Sequence, residues 1–278
     1  MRGRSLTLLA VTVLDEILAT KRDEVTMLHR PEVRGLLRAR ALDAPPVREF
    51  AGALAARAES GKLAVIAEIK RRSPSKGDLA PDLDPAATAK AYEAGGASCL
   101  SVLTDGPFFG GSLADLEAAR DAASVPVLRK DFIIDEIQVF EARAIGADAI
   151  LLIAAALPDD SHFGDLHALA IELGLAVLVE THNDAELERA LTIGALLVGV
   201  NARDLGTFAE DLGVGERLAA LVPPGVVAVA ESAIRSVDDA VRMADAGFEA
   251  VLVGEMLVKS DDPTGVVQLL AAIERSSR

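Results

Sequence analysis

The sequence of 278 residues is poor in cysteine and in aromatic residues, and these shortages exclude disulfide bonds within the chain and an aromatic core. It contains one cysteine, Cys99, so no disulfide bond can form within the chain. Cys99 precedes an apolar run, which favours a buried core thiol over a nucleophile. Tryptophan is absent and aromatic residues make up only 3%, so the core must be built from aliphatic side chains.

Positive charge is scarce as well. The chain has 28 Lys and Arg residues against 43 Asp and Glu residues, which gives a net charge of −15. A chain this acidic repels nucleic acid and anionic membranes, so we expect neither as a partner. A site for an anionic ligand must then be locally basic, which makes the position of each Lys and Arg informative.

The sequence also lacks long apolar runs and metal-ligand patterns. The apolar stretch from Leu6 to Leu14 is followed at once by Asp15 and Glu16, which indicates an amphipathic helix rather than a secretory signal. No apolar run is long enough to span a bilayer. The four histidines show no metal-ligand spacing, so no metal site is expected. We predict a cytoplasmic protein.

What the sequence does contain is a regular alternation of short apolar runs and longer amphipathic segments. The eight apolar runs lie at residues 64–70, 98–104, 125–132, 147–155, 175–182, 196–204, 225–232 and 250–257. This order predicts parallel strands joined by right-handed helical crossovers. The count favours a single (β/α)8 TIM barrel over an open doubly wound sheet. We predict an N-terminal helical extension packed on the barrel over residues 1–60 and the barrel itself over 61–278.

Polar side chains collect at the ends of five of these runs. In such barrels the active site lies at the C-terminal ends of the strands, and alternation sends every second side chain inward. The side chains that share the inward face are Glu68, Lys70, Lys130, Phe132, Glu180, Asn201, Arg203 and Glu231. Solvated strand ends explain any one of them equally well. The grouping of so many ionisable residues predicts acid–base catalysis on an anion.

Loops near the last two strands suit a phosphate group. The segments "AES" (230–232) and "VGE" (253–255) precede short helix-like stretches. Phosphate in these barrels often binds to backbone N–H groups after strands seven and eight. Ordinary loop residues explain the two segments equally well.

Longer motifs resemble a known family. The segments "EIKRRSPSKG", "SVLTDGPFFGGS", "PVLRKDFIID", "LVETHN", "VGVNARDL" and "LVGEML", in this order, resemble indole-3-glycerol phosphate synthase over nearly the whole chain. The resemblance implies an eight-stranded barrel with a helical extension over its mouth. It also implies conversion of 1-(2-carboxyphenylamino)-1-deoxyribulose 5-phosphate to indole-3-glycerol phosphate, with release of carbon dioxide and water, in tryptophan biosynthesis. No cofactor or metal is implied.

The resemblance implies a role for particular residues. Lys130 matches the general acid of ring closure, Glu180 the acid or base of the dehydration, and Lys70 a lysine that positions substrate and assists proton transfer. The supporting polar residues are Glu68, Asn201 and Glu231. The residues on the phosphate side are Ser73, Ser232, Gly254 and Glu255. The residues that line the substrate's carboxylate and ring are Phe109, Phe132, Arg203 and Leu205.

Two positions depart from the family pattern. Ala233 follows Ser232 where the family usually has glycine, and its Cβ restricts the backbone dihedral angles available to the loop. The sequence therefore leaves the geometry of the phosphate loop open at this position. Ala202 stands between Asn201 and Arg203 where the family often has asparagine, and its outward parity predicts a benign change.

Two other functions fit the same residues. A Schiff-base aldolase acting on a keto-sugar phosphate would use Lys130 as its nucleophile. A non-catalytic paralogue that only binds a sugar phosphate has Ala233 as its sole support. In each case the expected partner is a small anionic sugar phosphate, and the expected assembly is a monomer or a weak homodimer.

Overall fold

The strands of the protein close into a barrel. The computed structural model describes residues 12–203 and 209–275, in which eight parallel strands pair in sequence order and the last pairs with the first. They are β1 (Ala64–Ile69), β2 (Cys99–Leu103), β3 (Val127–Lys130), β4 (Ala149–Ile153), β5 (Ala176–Thr181), β6 (Leu197–Asn201), β7 (Val227–Glu231) and β8 (Ala250–Val253). The predicted TIM barrel is confirmed, and each predicted apolar run contains a strand.

Helices follow the strands on the outside of the barrel. They are α4 (Pro85–Ala94), α5 (Leu113–Ala122), α6 (Glu136–Ala144), α7 (Asp160–Glu172), α8 (Asp184–Thr192), α9 (Leu212–Ala219), α10 (Val237–Asp245), α11 (Glu255–Val258) and α12 (Pro263–Ala272). Polar caps define many of their starts; Ser112, for example, accepts a hydrogen bond from the backbone N–H of Asp115. Within the described ranges, no helix has the length and apolar character needed to cross a membrane.

Alternation along the strands builds two apolar layers. In β1, Ala64 and Ile66 belong to the cluster inside the barrel, whereas Val65 and Ala67 belong to the layer between the barrel and its helices. This is the inward parity that the sequence predicts for Glu68 and Lys70. Cys99 lies fully buried in the inner cluster, and burial raises the pKa of its thiol well above the ordinary value, as suits a core residue.

Among the described residues, three helices precede the barrel: α1 (Val13–Leu28), α2 (Pro31–Asp43) and α3 (Phe50–Glu59). Phe50 and Leu54 of α3 are fully buried against the first residues of the strands and close the base of the barrel. Arg38 of α2 bonds Glu136 of α6 at 2.9 Å, and α1 lies at the opposite end, over the barrel mouth. The division into an extension of residues 1–60 and a barrel of residues 61–278 stays a prediction, and its first eleven residues lie outside the described part of the chain.

Candidate active site

A cavity of about 360 Å³ opens at the C-terminal ends of the strands, and α1 forms part of its wall. Within the described residues, every side chain that the sequence assigns to the site lines this cavity. They are Glu68, Lys70, Ser73, Phe109, Lys130, Phe132, Glu180, Asn201, Arg203, Glu231, Ser232, Gly254 and Glu255. The remaining prediction, Leu205, lies outside the described residues.

Lys130, at the end of β3, is the centre of a buried charge cluster. Its Nζ lies 2.7 Å from Glu180 Oε2 and 2.9 Å from Glu231 Oε2. Burial alone would lower the pKa of Lys130, but the negative charges of Glu180, Glu231 and Glu68 outweigh it and raise the pKa above the ordinary value. The side chain therefore carries a proton and a positive charge at neutral pH.

The two carboxyl groups beside Lys130 differ in their surroundings. Glu180 Oε1 accepts a hydrogen bond from Asn201 Nδ2 at 3.0 Å and lies 3.3 Å from His182 Nε2. Burial opposes ionisation of Glu180, but Lys130 and His182 lower its pKa below the usual range. The pKa of Glu231 is raised to about 7, mainly because the group is buried. The positive charge of Lys130 lowers this pKa, and repulsion from Glu180 raises it. Glu231 Oε1 has no hydrogen-bond partner among the described residues.

Two glycines make room for the carboxylates. A Cβ at Gly199 of β6 would overlap the carboxylate of Glu231, and one at Gly254 would overlap that of Glu68. The sequence assigns Gly254 to the phosphate side alone, and gives no signal for Gly199. Both are needed because the inward carboxylates pack flat against the backbone of a neighbouring strand.

A second charged pair stands beside the first. Lys70 Nζ forms an ion pair with Glu68 Oε1, and both side chains are largely buried. Glu68 also contributes to the raised pKa of Lys130, so the two pairs interact electrostatically. These interacting groups thus bring two ammonium groups and three carboxyl groups together, and proton transfer requires groups of these kinds.

The loop after β7 has an unusual backbone. Ser232 and Ala233 both adopt left-handed dihedral angles, with φ of 64° and 59°. Such angles cost a non-glycine residue about 1 kcal/mol or more. At Ala233 the loop therefore adopts a glycine-type conformation although the residue carries a Cβ.

Arg203 lies on the same side of the cavity as the hairpin formed by Arg72–Ser73 and Gly77–Asp78. Its Nη1 donates to Ser75 Oγ at 2.7 Å, and its Nη2 pairs with Glu210. The sequence gives no signal for Glu210, because that residue does not end one of the apolar runs. Its position is visible only in the fold.

The cavity is not basic in net charge, which corrects one expectation. Its lining contains five cations, Lys70, Lys130, Arg203, Arg235 and Lys259, and six acids, Glu68, Asp131, Glu180, Glu210, Glu231 and Glu255. Each of these five cations pairs with one of the acids. An anion must therefore exchange places with carboxylates or bind to backbone N–H groups. Within residues 12–203 and 209–275, no cluster of His, Cys, Asp and Glu is placed to hold a metal ion.

A closed parallel barrel with ionisable side chains gathered at the carboxyl ends of its strands defines a (β/α)8-barrel enzyme. The sequence model of the family described as indole-3-glycerol phosphate synthase matches residues 14–270. The chain belongs to the indole-3-glycerol phosphate synthase family.

Curated relatives agree with this assignment. The chain is 51% identical over 248 residues to indole-3-glycerol phosphate synthase of Hyphomonas neptunium, covering 89% of this chain and 93% of that one. It is 49% identical over 261 residues to the protein of that name in Laribacter hongkongensis, covering 94% and 99%. Among solved structures, thiamine phosphate pyrophosphorylase from Pyrococcus furiosus has a TM-score of 0.58 at 17% identity, over 76% of this chain and 95% of that one, a likeness of fold alone.

Proposed function

We propose that the protein is an indole-3-glycerol phosphate synthase that acts in tryptophan biosynthesis. It converts 1-(2-carboxyphenylamino)-1-deoxyribulose 5-phosphate to indole-3-glycerol phosphate, carbon dioxide and water. Besides family membership, one observation carries the proposal: a protonated Lys130 sits between two carboxyl groups of opposite pKa shift, in a cavity at the barrel mouth.

Ring closure requires a stronger electrophile at the substrate's ketone carbon. Lys130 donates a proton to the ketone oxygen while the ring carbon that bears the carboxylate attacks, so a C–C bond forms and the ketone becomes a hydroxyl group. The raised pKa of Lys130 supports this role, because the ammonium form is the resting form. Burial also strengthens its electrostatic effect on the developing charge.

Decarboxylation then restores the aromatic ring, and dehydration completes the indole. The hydroxyl group leaves as water after it receives a proton, and a base removes a proton from the adjacent carbon. The lowered pKa of Glu180 keeps this carboxyl group ionised and favours it as the base. Lys70, which lines the same cavity, is then the acid. Glu68, Asn201 and Glu231 hold these groups in place and tune their charge.

Substrate contacts divide between two sides of the cavity. We place the phosphate group at the loops after β7 and β8, the usual phosphate site of such barrels. The residues proposed for this side are Ser73, Ser232, Gly254 and Glu255. The residues proposed for the ring and its carboxylate are Phe109, Phe132, Arg203 and Leu205. The Phe109 and Phe132 rings lie 6.1 Å apart between centroids and form an aromatic wall.

Formation of the fluorescent indole product from the purified substrate tests the proposal. Lys130→Ala should lower kcat by about a thousandfold, in the range of lost general-acid catalysis, and leave the circular dichroism spectrum unchanged. Lys62→Ala is the matched control and should retain wild-type kcat. Lys62 lies at the base of the barrel, where it contacts the exposed Glu274 and a backbone carbonyl. Near-normal turnover by Lys130→Ala would refute the assignment.

The alternative functions are weaker on specific grounds. A Schiff-base lysine needs a lowered pKa, whereas the pKa of Lys130 is raised. Borohydride should therefore trap no keto-sugar phosphate on the protein. A non-catalytic paralogue has no need of the acid and base groups, yet all of those described line one cavity. Our predictions of a monomer or weak homodimer, of no nucleic-acid partner and of a cytoplasmic location accompany the proposal; sedimentation tests the first.

A further inference from the structure

The proposed mechanism leaves one buried lysine unused. Lys21 of α1 has 1% of its surface exposed, and it does not belong to the lining of the cavity. Its Nζ lies 2.9 Å from Asp105 Oδ2 and 3.0 Å from Asp131 Oδ1, both of which are buried. A third contact, at 2.8 Å, joins it to Glu24 on its own helix, whose side chain is 42% exposed.

Asp105 connects Lys21 to the loop that carries Phe109. Its second oxygen, Oδ1, accepts hydrogen bonds from the backbone N–H groups of Phe108 at 2.8 Å and Phe109 at 3.1 Å. One buried carboxylate therefore fixes the course of this loop and faces Lys21 at the same time. Any shift of Asp105 moves the backbone from which the Phe109 ring projects.

Asp131 connects Lys21 to Phe132 in the same way. Its Oδ1 accepts the backbone N–H of Phe132 at 2.8 Å and contacts Lys21, while its Oδ2 accepts from Thr104 Oγ1 at 2.6 Å and from Arg129 at 3.1 Å. The ammonium group of Lys21 is thus one carboxylate away from the backbone of each residue of the aromatic wall.

The charge on Lys21 is what allows the two carboxylates to lie close together. Without that charge, the buried carboxylates of Asp105 and Asp131 would face each other beside α1 with no ammonium group between them. Like charges in a buried site repel strongly. Arg129 would still neutralise Asp131, but in the described structure Asp105 has no ion-pair partner other than Lys21. Asp105 would then turn toward water and carry the Phe109 loop with it.

We propose that Lys21 is a positioning residue that sets the aromatic wall from outside the cavity, through Asp105 and Asp131. The inference rests on the proposed function, in which Phe109 and Phe132 receive the substrate's ring. Because Lys21 touches neither substrate nor any group that transfers a proton, its loss raises KM and leaves kcat nearly intact.

Steady-state kinetics of three variants test the inference. Lys21→Met keeps the length of the side chain and removes its charge, and should raise KM about tenfold with kcat within about threefold of wild type. Asp105→Asn keeps an oxygen for the Phe109 loop and should raise KM about threefold. Glu24→Gln is the matched control: it removes a carboxylate that contacts Lys21 but bonds nothing on the aromatic wall, so KM should stay within about twofold.

A double-mutant cycle separates positioning from helix docking, because α1 also lines the cavity through residues such as Ile17. In the background Phe109→Ala/Phe132→Ala, Lys21→Met should change KM by less than about twofold. An unchanged KM in folded Lys21→Met, or the same tenfold rise in the double-alanine background, overturns the inference. If Lys21→Met does not fold, Asp105→Asn and the control decide: equal KM values for the two overturn it. Absence of turnover in the wild type would instead refute the proposed function.

Discussion

Two buried lysines in this protein have almost the same immediate surroundings and different tasks. Lys130 lies 2.7 and 2.9 Å from two buried carboxylates, and Lys21 lies 2.9 and 3.0 Å from two others, besides its contact with the more exposed Glu24. In both, burial lowers the pKa and the carboxylates more than reverse the effect. Only Lys130 faces the cavity. Ion-pair geometry alone therefore does not separate a catalytic lysine from a positioning one; access to the substrate does.

The carboxyl groups around the two lysines also differ in their pKa values and in their hydrogen bonds. Asp131, beside Lys21, has every oxygen paired; burial opposes its ionisation, but Arg129 and Lys21 lower its pKa to about 2. Glu231, beside Lys130, keeps an unbonded oxygen and a pKa of about 7. We call Lys130, Glu180 and Glu231 the inner cluster, and Lys21, Asp105, Arg129 and Asp131 the outer cluster. Each carboxylate of the outer cluster is paired with a cation, whereas Glu231 of the inner cluster can exchange a proton near neutral pH.

The largest effects should come from variants of Lys130 and Glu180, which also separate the chemical steps. Glu180→Gln should lower kcat at least about a hundredfold by removing the base of the dehydration. With enzyme in excess, it should still release labelled carbon dioxide from the substrate carboxylate faster than indole product appears. Lys130→Ala should slow the release of labelled carbon dioxide and the formation of indole product to the same extent, by about a thousandfold. Label and indole forming at equal rates in Glu180→Gln would place Glu180 before the decarboxylation.

A substitution in the outer cluster should instead lower the free energy of unfolding. Arg129 has a side chain that is 4% exposed and pairs with Asp131 at 3.1 Å and Glu141 at 2.8 Å. Arg129→Met leaves buried carboxylates short of a partner, so the free energy of unfolding should fall by about 3 kcal/mol. Urea unfolding measures this, and kcat of the folded enzyme should stay within about threefold of wild type. A kcat loss as large as that of Lys130→Ala would erase the contrast between the clusters.

Glu231 should lower the free energy of unfolding of the wild type at high pH. Its folded pKa of about 7 lies above the ordinary value of 4.5, so the folded state binds more protons between these values and the wild type loses stability as pH rises through that window. Glu231→Gln removes this loss. We expect it to be more stable than wild type by about 1–2 kcal/mol at pH 8 and by little at pH 5, measured by urea unfolding at each pH. An equal difference at both pH values would contradict the raised pKa.

The smallest effect concerns Ala233 in the loop after β7. Because its φ is 59°, Ala233→Gly should relieve backbone strain and raise the free energy of unfolding by about 1 kcal/mol. Gly225, which also has a positive φ but lies far from the cavity lining, offers the reciprocal control: Gly225→Ala should destabilise by a similar amount. A loss of stability in Ala233→Gly would show that the gain in chain entropy on unfolding outweighs the strain.

Much of the fold and the inner cluster follows from the sequence because strand periodicity is a local signal. Apolar runs located the strands, and parity sent Lys130 inward and Arg129 outward, as the structure has them. β3 ends at Lys130 rather than at the predicted residue 132, because Asp131 bonds the N–H of Phe132 and turns the chain.

The outer cluster could not be predicted in this way. Lys21 lies in a helix whose charged residues look solvated in the sequence, and its partners follow distant strands. Periodicity places Lys21 on a helix face but says nothing about what that face covers. The unbonded oxygen of Glu231 and the role of Gly199 likewise depend on side-chain packing across neighbouring strands.

A side-by-side measurement of kcat for Lys130→Met and Lys21→Met, at saturating substrate, tests the central claim most directly. The substitutions are chemically identical, and the two lysines have similar ion pairs. We predict a fall of about a thousandfold for Lys130→Met and of less than about threefold for Lys21→Met. Losses of similar size in the two variants would contradict the division into a catalytic lysine inside the barrel and a positioning lysine outside it.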